Sequence, residues 1–210
     1  MLYIPPSWLK ALSGKYLKWQ FPSGEKKIFL SFDDGPTPGV TPEIIRILDQ
    51  HKAKATFFLL GKKAYNHPEL VQDIVAHGHN LGNHGWDHID GWLTRTSTYI
   101  KNAEKGRAVI PGNLFRPPFG RITPCQIQAL RKKDMEVIMW SVLAPDYAHN
   151  SDLTTTLSRV VSKTGDGSIV VFHDSEKARK NCLALLPAFL DHFSGLGFSF
   201  EAIRPKHKQS

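Results

Sequence analysis

The chain has 210 residues, enough for one sizeable domain and short for two. With 41% hydrophobic and 22% charged residues it has globular composition, which excludes a disordered chain, and no apolar run approaches the ~18–20 residues of a membrane span. The net charge of +8 would admit an anionic polymer, but part of the excess sits in Arg204–Lys208 and in Lys132-Lys133, so solvated surface is the simpler reading and no nucleic-acid partner is expected.

Residues 1–25 read as an N-terminal extension. Tyr3, Pro5, Pro6, Ser7, Lys10 and Lys15 interrupt any apolar core of a secretory signal. That predicts a cytoplasmic protein, or a secreted one if a removed segment preceded the sequence. The predicted elements then alternate. Lys26–Phe32 is a buried strand; Thr41-Pro42-Glu43 opens a helix whose apolar face is Ile44, Ile45, Ile47 and Leu48, with Thr41 as its cap. A strand at Ala55–Leu60, a helix at Asn66–His77 and a short strand at His79–Asn83 follow. Next come a helix at Ser97–Ala108, a strand at Leu114–Arg116 and a helix from Thr123-Pro124 to Lys133. The last stretch reads as a strand at Val137–Val142, a helix at Leu153–Lys163, a strand at Ser168–Phe172, a helix at Glu176–Phe193 and a strand at Phe198–Ile203. Residues 26–203 thus form one α/β domain with parallel strands, and 204–210 a basic tail. About seven βα units fit a closed or nearly closed barrel, and no GxGxxG follows the first strand to mark a dinucleotide site. Cys125 and Cys182 form no CxxC pair, which excludes a disulfide framework.

In a parallel βα fold the chemistry sits where strands end. Asp33-Asp34-Gly35-Pro36 follows the first strand. An Asx turn explains one Asp, whereas adjacent carboxylates call for a neutralising cation. After the third strand, His84 and His88 stand four apart, a spacing that puts two imidazoles on one face of a helical turn. His51, His67, His77 and His79 have no such arrangement and read as surface or packing residues. Arg116-Pro117-Pro118-Phe119-Gly120 sets a guanidinium on a rigid loop, where it suits a carboxylate. Trp140 to Tyr147 brings aromatics and one acid to a strand end, and the apolar run Val170-Val171-Phe172 ends in His173-Asp174. Together, one Asp and two His make a divalent-metal site of the hydrolase kind, leaving a second Asp, an Arg and a His for acid–base chemistry.

On the motifs SFDDGPTP (Ser31–Pro38), GNHGWDH (Gly82–His88), RPPFG (Arg116–Gly120) and IVVFHD (Ile169–Asp174), in that order, the sequence resembles the polysaccharide deacetylase family, the NodB-homology domains of carbohydrate esterase family 4. The resemblance implies a distorted, single-domain (β/α)7-type barrel and metal-dependent removal of acetyl groups from sugars. It also implies that Asp33 is the general base, that Asp34, His84 and His88 are metal ligands, that Arg116 orients Asp33 and that His173 is the general acid. The Phe119 N–H would help hold the oxyanion. Zinc suits the donors, and cobalt or nickel could replace it.

The sequence departs from the family twice. Gly85 stands where Ser or Thr is usual, removing a hydroxyl that would brace the loop. Leu143 stands where an Asp usually charges the catalytic His, so His173 is expected to lose its proton more easily and to give a lower alkaline limit. The next acid, Asp146, aligns with that motif's second Asp. The expected activity is N-deacetylation of an N-acetylglucosamine-containing glycan. The alternatives are O-acetyl ester cleavage, which Leu143 slightly favours, and a non-catalytic carbohydrate-binding protein, with Trp86, Trp92, Trp140 and Tyr147 as candidates to stack on sugars. The acetylated carbohydrate is the one partner expected; no oligomeric state is assigned.

Overall fold

A computed structural model describes residues 16–148 and 152–204; most of the expected basic tail and the first part of the N-terminal extension lie outside them. Nine strands are present among these residues: β1 (Leu17–Lys18), β2 (Lys27–Asp33), β3 (Ala55–Leu59), β4 (Asn80–Asn83), β5 (Leu114–Phe115), β6 (Glu136–Ile138), β7 (Val142–Leu143), β8 (Ile169–His173) and β9 (Ser199–Phe200). They pair in the order β1-β6-β5-β4-β3-β2-β8-β7, every pair parallel, and β9 joins the start of β2. The sheet curls into a half-barrel with helices outside it, the expected (β/α)7-type architecture. The helices are α1 (Thr41–Gln50), α2 (Gly61–Asn66), α3 (Pro68–Ala76), α4 (Thr96–Arg107), α5 (Pro124–Lys132), α6 (Leu153–Val161) and α7 (Arg179–Gly195). None of the described helices is long and apolar enough to cross a membrane.

Strand alternation divides the core. Ile28, Leu30 and Phe32 of β2, with Val170 and Phe172 of β8, pack against α1 and α7 through Ile44, Leu48, Leu186 and Phe189. The opposite face, with Phe58, Ile169, Val171 and Leu143, packs with Tyr99, Phe115 and Val137. Ile203 closes the end of the sheet where β3 and β4 begin. Its N–H donates to Thr56 Oγ1 at 2.8 Å, and its carbonyl accepts from Asn80 Nδ2 at 2.6 Å.

Several expectations shift. The helix expected at 66–77 is present as α3, starting at Pro68, and a separate short helix that was not expected, α2, precedes it. The helix expected from Glu176 begins at Arg179. Leu17–Lys18, inside the expected extension, pairs with β6. The strand expected over Val137–Val142 is broken between Ile138 and Val142, where Arg116 takes the Ile138 and Met139 carbonyls at 3.3 and 3.1 Å. Thr41 does not cap α1; Val40 precedes the helix, and the Thr41 hydroxyl accepts from Thr37 N–H and donates to Asp174 Oδ2, both at 2.7 Å.

Candidate active site

Asp33 is the last residue of β2 and Asp34 the first beyond it. Plain alternation would send their carboxylates to opposite faces. Asp34 instead takes φ = 80°, in the left-handed region, and both side chains line one cleft of about 320 Å³ at the carboxyl ends of the strands. Below the turn, Asp174 is fully buried and packs so close to Gly35 that a Cβ there would lie 2.1 Å from Asp174 Oδ2. Burial pushes this carboxyl up to about 7. Asp174 therefore supports the loop and does not line the cleft.

Asp33 Oδ1 accepts from Arg116 Nη1 at 2.7 Å. Arg116 is fully buried, and its remaining contacts are the two carbonyls at the β6–β7 break, Ser31 Oγ at 2.8 Å and the Phe58 ring 3.9 Å from its Cζ. A buried guanidinium is tolerable only when its donors are used in this way. Ser31 was not singled out by sequence. It lies two residues before Asp33, on the same face of β2, and that period was the available signal.

His84 and His88 approach Asp34 from the β4 exit. Asp34 Oδ1 lies 3.7 Å from His84 Nε2 and 3.3 Å from His88 Nε2, and three ligand atoms, one from each residue, lie within 4.8 Å of one another. Among the described residues Asp34 Oδ1 is buried without a hydrogen-bond partner. His84 Nδ1 faces the Arg116 carbonyl at 2.8 Å, so it carries the proton and leaves the Nε2 lone pair to the cleft. Burial, with His88 adding to it, lowers His84 to about 3, so the ring is neutral. An orphaned carboxylate oxygen and a neutral, oriented imidazole fit a divalent cation. The two histidines do not lie on a helical turn, however. Gly85 takes φ = 84°, and the segment is a bend. The bracing hydroxyl expected at 85 is replaced: Asn83 Oδ1 accepts from Gly85 N–H at 2.8 Å, and Asn102 Oδ1 accepts from Trp86 N–H at 2.9 Å.

His173 ends β8. Asp146, fully buried, accepts from its backbone N–H and from Nδ1, both at 2.7 Å. The loop after β7 reaches back to it because Asn181 Nδ2 donates to the Asp146 and Ala148 carbonyls at 2.9 Å each. The expectation that Leu143 leaves His173 without a carboxylate is thus overturned. Burial alone would lower the imidazole, but Asp146, with smaller help from Asp33 and Asp34, holds it up at about 9. Burial raises Asp146 in turn.

Phe119 occupies the turn of the RPPFG segment at φ = 58°, its ring edge-on to His88 at 4.3 Å. Trp140 and Tyr147 line the cleft, and Tyr147 packs against His173 at 4.9 Å. Trp86 lies outside the cleft with Lys105 over its ring, and Trp92 is exposed. His51, His67 and His77 pair with carboxylates elsewhere, and His79 is buried against Phe57. Both cysteines are free thiols.

Comparison with known proteins agrees with this arrangement. The family model for polysaccharide deacetylase matches residues 21–138. A peptidoglycan-N-acetylglucosamine deacetylase of Bacillus cereus is 31% identical over 91% of this chain and 95% of its own length. The Listeria monocytogenes peptidoglycan-N-acetylglucosamine deacetylase PgdA is 34% identical over 85% of this chain, which spans 38% of that protein. The crystal structure of the Bc1960 peptidoglycan N-acetylglucosamine deacetylase superposes with a TM-score of 0.85 at 26% identity, covering 95% of this chain and 94% of the other. The half-barrel, the order of the motifs and a full-length relative all lead to one assignment: the chain belongs to the polysaccharide deacetylase family.

Proposed function

We propose that this chain is a metal-dependent hydrolase that removes N-acetyl groups from an N-acetylglucosamine-containing glycan. One observation carries the reading: two anchored pairs, Asp33 with Arg116 and His173 with Asp146, stand on adjacent strands beside the Asp34, His84 and His88 donor set. The substrate named for its relatives supports the choice of glycan.

A divalent cation held by Asp34, His84 and His88, best matched by zinc with cobalt or nickel as substitutes, supplies Lewis acidity to a carbonyl oxygen and to water. The remaining roles belong to the chain. Arg116 occupies Oδ1 of Asp33, which leaves Oδ2 to accept the proton of the attacking water. The Phe119 N–H donates to the oxygen that gains charge as the amide carbon becomes tetrahedral. His173 Nδ1 donates to Asp146, and its Nε2 proton passes to the departing nitrogen, releasing acetate and a free amine. The ester alternative drew on a His173 without an acid beside it, and Asp146 removes that ground.

Acetate release measured on matched N- and O-acetylated sugars, with metal chelated and then restored, tests the reading. Release from N-acetylated glycans, lost on chelation and recovered on adding the divalent ion, is expected. No release from any N-acetylated glycan by metal-loaded protein overturns it.

A further inference from the structure

Beside the cleft lies an exposed aromatic shelf whose side chains the chemistry above does not use. We propose that Phe119, Arg121 and Trp92 form a subsite for a further, uncharged pyranose ring of the same glycan, beyond the sugar that is deacetylated; this rests on the deacetylase reading.

The shelf is continuous with the cleft. Phe119 lines the cleft and touches His88, yet 43% of it is exposed. The Arg121 guanidinium lies 5.8 Å from the Phe119 ring centroid and 5.2 Å from that of Trp92. Trp92 is 64% exposed. The three groups therefore run outward in sequence from the donor set.

The shelf is also fixed in place. Asp90 Oδ1 accepts from Trp92 N–H at 2.9 Å, and Thr94 Oγ1 donates to the Asp90 carbonyl at 2.7 Å. Gln126 Nε2 donates to the Gly91 and Thr94 carbonyls at 2.8 and 3.1 Å. A Cβ at Gly91 would lie 2.2 Å from the Arg121 carbonyl oxygen, so the turn bearing Trp92 is pressed against the segment bearing Arg121. The backbone that carries Trp92 is therefore set before a ligand arrives, and an indole that is mostly exposed contributes little to the core.

Charge narrows the ligand. Arg121 is ion-paired with Asp90, which offsets its charge while leaving other N–H groups of the fork as donors. A charge-offset, donor-rich guanidinium between two partly exposed aromatic rings suits a pyranose, whose C–H face stacks and whose hydroxyls accept hydrogen bonds; a polyanion would meet Asp90.

The test uses the full chain loaded with zinc and β-linked N-acetylglucosamine oligomers of two to five units. In Trp92→Ala the ratio of kcat/KM for the pentamer to that for the dimer should fall about tenfold, carried by KM, and Trp92→Phe should recover most of it. An unchanged ratio overturns the subsite. If the unaltered protein releases no acetate from these oligomers, calorimetric binding of the pentamer judges the shelf separately from the deacetylase reading, which falls only when no N-acetylated glycan releases acetate. A Kd weakened about tenfold in Trp92→Ala sustains it as a sugar site; equal Kd values, or no binding by either protein, overturn it.

Discussion

Asp33 and His173 are register partners across the parallel strands β2 and β8. Their backbones are separated by one strand spacing, ~4.8 Å, and each side chain is anchored from outside the pair, Asp33 by Arg116 and His173 by Asp146. The proposed base and acid thus share one rigid frame, and their anchors can be altered one at a time.

Asp146→Asn should change the pH profile. His173 is raised to about 9, so it keeps its proton below that pH and loses it above, and activity should fall near pH 9 on the alkaline side. With the anion removed, burial is left to lower the imidazole, and the alkaline limb of kcat/KM should move down by about 1–3 pH units. Leu143→Asp should leave that limb in place, because Asp146 already occupies Nδ1. Profiles of both variants on an N-acetylated substrate check this.

Asp33→Asn should lower turnover by about 10²–10⁴-fold while retaining one bound divalent ion per chain, since Asp33 is not among the three clustered donors. Single-turnover kinetics together with metal content by mass spectrometry separate the two effects. Loss of the metal along with the activity would remove Asp33 from the role of base.

Gly85→Ser, which installs the residue usual in the family, should destabilise this protein by about 1–3 kcal/mol. The position has φ = 84°, and a Cβ there would lie 2.6 Å from Asn102 Oδ1, the atom that braces Trp86. Urea unfolding gives the stability change, and a metal titration should show weaker binding, because the same bend carries His88.

Asp166 ties the segment before β2 to the β8 side. Its carboxylate accepts from the N–H groups of Ser23, Gly24 and Lys27 and from Ser23 Oγ, and these bonds depress its pKa. The stabilisation is complete above the unfolded carboxyl value, ~3.9, and is lost as pH falls through the depressed folded value. Asp166→Ala should therefore melt at a lower temperature than the parent at pH 7, and the gap should narrow as the pH is taken below about 4. A gap that widens in acid would contradict the assignment.

The sequence carried the strand exits well because the paired acids, the two histidines, the arginine loop and the terminal His-Asp each follow an apolar run. What depended on three-dimensional return was harder to read. Asp146 meets His173 from 27 residues earlier in the chain, and its carbonyl is held by Asn181, 35 residues further on. The break in the expected strand at Met139–Ser141 has no turn residues to announce it; it is where carbonyls face Arg116 from another strand. The bend at Gly85 ran against the helical reading of the His84–His88 spacing because a single left-handed residue resets the direction of both side chains. Thr41 has the chemistry of a cap, yet its hydroxyl is taken by a buried acid that lies far away in the chain.

Ile203 is fastened to Thr56 and Asn80 where β3 and β4 begin, at the floor of the half-barrel, whereas the cleft opens at its roof. A tether attached at the floor would leave the cleft facing outward. On a bead or a sensor surface the protein would present its working side to the solution, and an insoluble glycan sheet too large to enter a pore could be laid against it without obstruction from the support.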